Sequence, residues 1–331
     1  MTESAFIPPK LTMRVGIAGH LPEKLEHWDQ ATLLQNIKGA LKFVTETMDG
    51  ANAENGRYSA NETPYKQDGF NLRFMTTLAP GASQIASKAA KEAGYSIHAI
   101  LPAKKEKYLE HLESDFRQDF EAWFEPDMLR SNLALDHELT TDKDEAFRRA
   151  GYLMIAHVDV LIVVWNGQER DKKTNRIAYE PAGSTTDIVA EAQRRGVEII
   201  WIQHGTLHRY KDNNPPDNPE ADFAWDPIAL DGQDNTAADD LRGNLLSILA
   251  APTTGLALEG LQGFRKLKLR KRSYAFVYNF VVSALAWRRP SGRLELRLAE
   301  NRAAWSASMA LAKDIGGQKY AARADSHHSG S

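Results

Sequence analysis

Five short apolar runs, separated by amphipathic stretches, constrain this chain more than any other feature: Met13–Ala18, Leu72–Ala79, Tyr95–Leu101, Asp159–Trp165 and Val197–Gln203. Apolar runs this short belong to strands covered on both faces, and strands that alternate with helices build a parallel sheet. The spacing predicts a helix over 25–48, where Leu33, Leu34, Ile37, Leu41 and Val44 recur at helical intervals. Ser83–Ala93 reads as a second helix of small residues, closed by Gly94, a residue suited to the left-handed conformation past a helix end. The third crossover is long, with helices near 105–124 and 144–157, and the last is Ser184–Arg195, stopped by Gly196. Right-handed crossovers that double back onto the first strand give an expected order of 3-2-1-4-5, a doubly wound, Rossmann-like α/β fold.

Past His204 the pattern breaks. "YKDNNPPDNPEADFAWDPIALDGQDNTAADD" is rich in Pro, Asn and Asp and reads as a linker or surface loop. The expected division is a sheet domain over 1–210, a polar linker over 211–240 and an α-helical extension over 241–331. In that extension Arg265, Lys266, Lys268, Arg270, Lys271 and Arg272 precede the apolar run Tyr274–Trp287. Such a cluster suits an anionic membrane surface, or else forms the solvated edge of a helix docked on its own domain. The apolar run falls short of the roughly 20 residues a spanning helix needs.

Composition removes several function classes. The net charge of −3 gives no whole-chain pull toward nucleic acid, which is not an expected partner. There is no cysteine, which excludes disulfides, thiolate catalysis and cysteine-held zinc and fits a reducing compartment. No His-Glu-x-x-His spacing occurs, so neither a metal site nor a cofactor is expected. "MTESAFIPPKLTM" lacks a basic segment ahead of an apolar run, so the expected location is cytoplasmic. The end, "AARADSHHSGS", carries no closing element, and the expectation is a longer natural protein held at the inner face of a membrane.

The connection after the fourth strand points to a site. "DVLIVVWNG" is followed by fifteen mostly polar residues, 168–182, before "GSTTDIVAEAQRRG" opens a helix, where a crossover usually spends a few. Three turns with small residues at their tips follow strands and should meet on one sheet edge. The first is "GIAGH", with Gly16, Gly19 and His20. The second is "LAPGAS", with Pro80, Gly81 and Ser83 opening the small-residue helix. The third holds Gly183, Ser184, Thr185, Thr186 and Asp187. Amides and hydroxyls at helix starts suit phosphate, and the carboxylate suits a ribose hydroxyl. Each turn also has a plain structural reading: tight packing at the glycines, and helix caps at Ser83, Ser184 and Asp187. His20 is a candidate general base or polar contact, and Trp165 a candidate platform for a base.

"RVGIAGH", "TTLAPGASQIASKAAKEAG", "IHAILPAKKEKYLEHL", "DEAFRRAGYLMIAHVDVLIVVWNG" and "GSTTDIVAEAQRRGVEIIWI", in that order over Met13–His204, resemble the SLOG superfamily. That superfamily also holds the Lonely Guy cytokinin-activating hydrolases and the DNA-processing protein A fold. The resemblance implies a Rossmann-like domain whose ligand meets the turns at Gly19, Gly81 and Gly183–Thr185. It also implies phosphate binding at Arg148 and Arg149, and kinship with a bacterial conflict-system branch that senses nucleotide second messengers. Lonely Guy enzymes carry Pro-Gly-Gly-x-Gly-Thr-x-x-Glu with a catalytic glutamate. Aligning its threonine with Thr185 puts Ile188 at the glutamate position, and Asp187 is one residue early, roughly 100° around the helix.

The expected function is therefore non-catalytic sensing of a nucleotide or nucleotide-derived second messenger, as part of a defence or signalling protein, with homo-oligomerisation as an accompanying expectation. The enzyme alternative is a nucleotide N-glycosidase using Asp187 or Glu180. Single-stranded DNA binding would need a basic groove that nothing before His204 advertises.

Overall fold

The computed structural model describes residues 9–57, 65–136, 139, 142–167, 182–210, 225–228, 236–250 and 259. All of its elements lie in one unit, Lys10–Leu249, while 1–9 and 250–331 form a second. The basic cluster Arg265–Arg272 and the apolar run Tyr274–Trp287 therefore lie outside the described residues.

The elements in chain order are β1 (Leu11–Gly19), α1 (Pro22–Leu25), α2 (Gln30–Asn55), β2 (Phe70–Thr76), α3 (Ala82–Glu92), β3 (Ser96–Leu101), α4 (Lys105–His111) and α5 (Ser114–Ala122). They continue with β4 (Ser131–Ala134), α6 (Lys143–Ile155), β5 (Val160–Val164), α7 (Thr185–Arg194), β6 (Glu198–Gln203), β7 (Thr206–Tyr210), β8 (Trp225–Ile228) and α8 (Thr236–Leu249). One sheet of eight strands runs β4-β3-β2-β1-β5-β6-β7-β8. Its five central strands are the five apolar runs, all parallel and in the expected relative order.

The additions are at the edges. β4 extends the β3 side in parallel, and β7 and β8 continue past β6 in antiparallel pairing. No apolar run announces β4, because all four of its residues are exposed. β8 carries Pro227, which an edge strand tolerates because its outward N–H is not needed by the ladder. The stretch read as linker thus contains β8, and α8 closes the sheet unit rather than opening a separate one.

Alternation along each strand sorts side chains into two cores. Met13, Val15 and Ile17 of β1 face Leu33, Ile37, Leu41 and Val44 of α2, together with Leu241 and Leu245 of α8. On the other face Leu161, Val163, Ile199 and Trp201 meet Ala150 and Met154 of α6 and Ile188 and Val189 of α7. Full burial of one such side chain contributes about 1.5–3 kcal/mol. α6 and α7 approach closely because Gly151 has no Cβ, which would run into the Ile188 side chain. The Asn244 amide donates to the Glu198 carboxylate at 2.7 Å, and Arg209 pairs with Asp240 at 3.3 Å, so polar contacts also fix α8 to the β6–β7 edge.

Candidate functional site

β1 sits between β2 and β5, and the chain leaves β1 toward β2 while β5 connects onward to β6. The turns after β1 and β5 therefore diverge and open a crevice beyond the strand C-terminal ends, where open α/β sheets take ligands. A cavity of about 650 Å³ fills it, lined from the turns by Gly19, His20, Lys24, Pro80, Ser83 and Gly183–Thr185. That volume lies in the range of small-molecule sites. The junction of α4 and α5 adds His111, Glu113 and Phe116, and α6 adds Lys143, Asp144, Phe147 and Met154. The structure thus joins the three turns that the sequence singled out separately.

At the first turn, a Cβ on Gly19 would stand 2.6 Å from Ala82 Cβ and 2.9 Å from the Val164 carbonyl oxygen. Only glycine allows β1, β5 and α3 to converge there. His20 is buried and ties the same three elements together: its N–H donates to the Val164 carbonyl at 3.0 Å, and its carbonyl accepts from Ala82 at 3.1 Å. Its Nε2 accepts the Asn166 N–H at 3.0 Å, which places the ring proton on Nδ1. Nε2 is therefore committed to the fold and is not free as a general base. Gly16 lies within β1 against Val158 and Leu161, away from the cavity.

At the second turn Gly81 has φ +84° and caps α3, and a Cβ there would meet the His20 carbonyl oxygen at 2.6 Å. Ser83, the second residue of α3, is buried against the cavity. First-turn amides have no partner within their own helix, and those of Ser83 and Gln84 have none among the described residues.

The third turn departs from expectation in two places. Gly183 has φ +78°, and its N–H donates to Asp187 Oδ2 at 2.8 Å instead of facing a ligand. The other Asp187 oxygen accepts the Tyr152 hydroxyl at 2.9 Å. Each carboxylate oxygen thus accepts one hydrogen bond from the fold, so Asp187 ties its own turn to α6, and Asp187 does not line the cavity. Tyr152 is pushed up to about 12 by burial and then by this bond, so the phenol remains a donor. The Asp187 amide donates to Ser184 Oγ at 3.2 Å, whereas the amides of Thr185 and Thr186 have no partner among the described residues. Thr186 Oγ1 is buried without a hydrogen bond, and Thr186 does not line the cavity.

Other expected contacts move away from the site. Glu145 binds both Arg148 and, at 2.6 Å, Arg149, one turn further along α6. Arg148 also lies over the Tyr152 ring, 5.7 Å from its centroid, and neither arginine lines the cavity. Trp165 is buried beside Trp201, with ring centroids 5.5 Å apart, and its carbonyl accepts the Trp201 indole N–H at 2.7 Å. It is a core residue and offers no platform for a base. Glu180 lies outside the described residues, as does the stretch 168–181.

The charged lining was not foreseen. Lys24, Lys143 and His111 stand among Glu23, Glu113 and Asp144, so side chains alone do not make the cavity strongly positive. The helix starts tip the balance, since α3, α6 and α7 all begin at the cavity wall and present the positive ends of their dipoles. Burial, and then Lys143, push the His111 imidazole down, which leaves it neutral and able to donate or accept near pH 7. Phe116 and Phe147 supply flat apolar wall. Among the described residues no group of His, Asp and Glu is arranged to hold a metal ion, and no helix is long and apolar enough to cross a membrane.

No family model matches the chain, and no curated protein matches it. Among solved structures it is similar to the X-ray structure of TM1055, Northeast Structural Genomics Consortium target VT76. The identity is 12%, over 56% of this chain and 72% of that one, with a TM-score of 0.30.

Proposed function

We propose that this chain binds a nucleotide or nucleotide-derived second messenger in the switch-point cavity and reports its presence without cleaving it. The observation that carries the reading is the convergence of the α3 and α7 starts on one cavity, each offering main-chain amides that have no partner among the described residues. Anionic phosphate is the group such amides recognise. Ser83 and Thr185 add hydroxyls, and the Phe116 and Phe147 rings suit the planar base. The resemblance of Met13–His204 to the SLOG superfamily supports the same reading, as does its bacterial defence branch. Self-association and action of the basic segment Arg265–Arg272 at the cytoplasmic face of a membrane belong to the same proposal.

Binding rather than turnover is favoured by Asp187, whose carboxylate is held by Gly183 and Tyr152. A nucleotide N-glycosidase would draw on Glu180, which lies outside the described residues, or on Glu23, Glu113 or Asp144, which line the cavity. The test is thermal unfolding with nucleoside monophosphates, cyclic dinucleotides and the corresponding free nucleosides, with base release followed in parallel. The proposal expects stabilisation by phosphorylated compounds alone, about 2.7 kcal/mol at a hundredfold excess over Kd, and no free base. Equal stabilisation by nucleosides would remove phosphate from the account.

A further inference from the structure

A second site lies on the sheet, away from the cavity. The face formed by Arg14, Arg73, Ser96 and His98 carries α6 and α7 over its other half. Arg73 and Arg130 are both exposed. Neither guanidinium has an acidic partner among the described residues, whereas Arg14, on the neighbouring strand, is held by Asp159 at 2.6 Å. His98 stands between the two free arginines: its imidazole is pushed down by burial and then by the charges of Arg73 and Arg130. It bridges Ser96 Oγ at 3.4 Å and Ser131 Oγ at 2.7 Å, so hydroxyls from β3 and β4 lie in the same patch. β4 is the terminal strand of the sheet, and its residues Ser131–Ala134, Leu133 among them at 51% exposure, are uncovered. A doubly wound sheet ordinarily covers such a surface with helices.

We infer that this open corner, the outer edge of β4 together with Arg73, His98 and Arg130, is a docking surface for an extended acidic segment of a partner protein. Among the described residues no strand pairs with the outer edge of β4, which offers main-chain donors and acceptors to one further strand. Acidic side chains of that strand, on the face shared with Ser131, then meet Arg130 and His98, with Arg73 behind them. Charge complementarity selects the occupant: the patch is basic on a chain of net charge −3. Lysine-rich segments are repelled.

Fluorescence anisotropy of labelled octaglutamate tests this, with hydrogen exchange of β4 read in the same mixture. The chain should bind the peptide at low salt, protect amides within 131–134, and ignore labelled octalysine. Arg73→Gln with Arg130→Gln should weaken binding roughly tenfold, and Arg73→Glu with Arg130→Glu further. Lys42→Glu with Arg57→Glu, an equal charge change on and beyond α2, should leave it intact, and thermal melts of each variant check folding. Absence of octaglutamate binding overturns the proposal. So does equal loss in the α2 variant, binding without protection of β4, or preference for a single-stranded oligodeoxynucleotide over the peptide.

Discussion

Replacing Gly183 with alanine tests how the third turn is built. The backbone there has φ +78°, which costs an L residue about 1–2 kcal/mol. The new Cβ would lie 2.7 Å from both the Arg148 nitrogen and the Asp144 carbonyl oxygen, main-chain atoms of α6 that no rotamer change can move. Relieving that overlap shifts α6 against α7, a rearrangement of about 1–3 kcal/mol. It also disturbs the Gly183 N–H bond to Asp187 and, through Asp187, the Tyr152 hydroxyl. The total, about 2–5 kcal/mol, is a large share of the 5–15 kcal/mol that keeps a typical domain folded. Urea denaturation followed by circular dichroism should show that loss with an unchanged slope. A destabilisation below about 1 kcal/mol would refute the packing argument and return Gly183 to a role in ligand contact alone.

Thr185→Asp places a carboxylate at the start of α7, which the helix dipole favours by about 0.3–1 kcal/mol. Thermal stability should hold while nucleotide binding, read by titration calorimetry, falls by more than tenfold. Arg148→Ala with Arg149→Ala should leave nucleotide affinity within about twofold, a change below the scale of one lost charged hydrogen bond; a much larger loss in the same titration would place an arginine in the site. Leu245→Ala, at a fully buried position on α8, should cost about 2–5 kcal/mol in urea unfolding if α8 belongs to the sheet unit. His98, His111 and His208 are all pushed down, first by burial. Between their folded values and about 6.5 the unfolded chain binds more protons. Stability should therefore be full above pH 7 and fall on acidification through that window, in urea midpoints taken from pH 7.5 to pH 5.

The central fold was legible because its signal is repetitive: five apolar runs with helices between them permit few topologies. The edges were not. β4 has no buried residue to mark it, β7 is a short mixed run, Thr206–Tyr210, and β8 falls where Pro, Asn and Asp dominate. The three turns were legible as small-residue breaks after strands, and the cavity joins them. The roles of individual residues within them were not, because hydrogen-bond direction is a property of three-dimensional placement. Asp187 reads equally well as a ligand contact or a cap until Gly183 and Tyr152 are seen to occupy it. Arg148 and Arg149 matched a phosphate-binding pattern, yet Glu145 three and four residues away provides for both. Lys24, His111, Phe116 and Lys143 carried no motif and reach the cavity only because four separate segments fold toward it.

The most direct test of the central claim is equilibrium binding of nucleoside phosphates to the whole chain, followed by recovery and chromatography of the bound compound. The account predicts saturable binding of a phosphorylated nucleotide, recovered intact after prolonged incubation, and loss of that binding in Thr185→Asp. Release of free base at a rate proportional to protein concentration would contradict it, and would move attention to Glu180, Glu23, Glu113 and Asp144 as the groups at work.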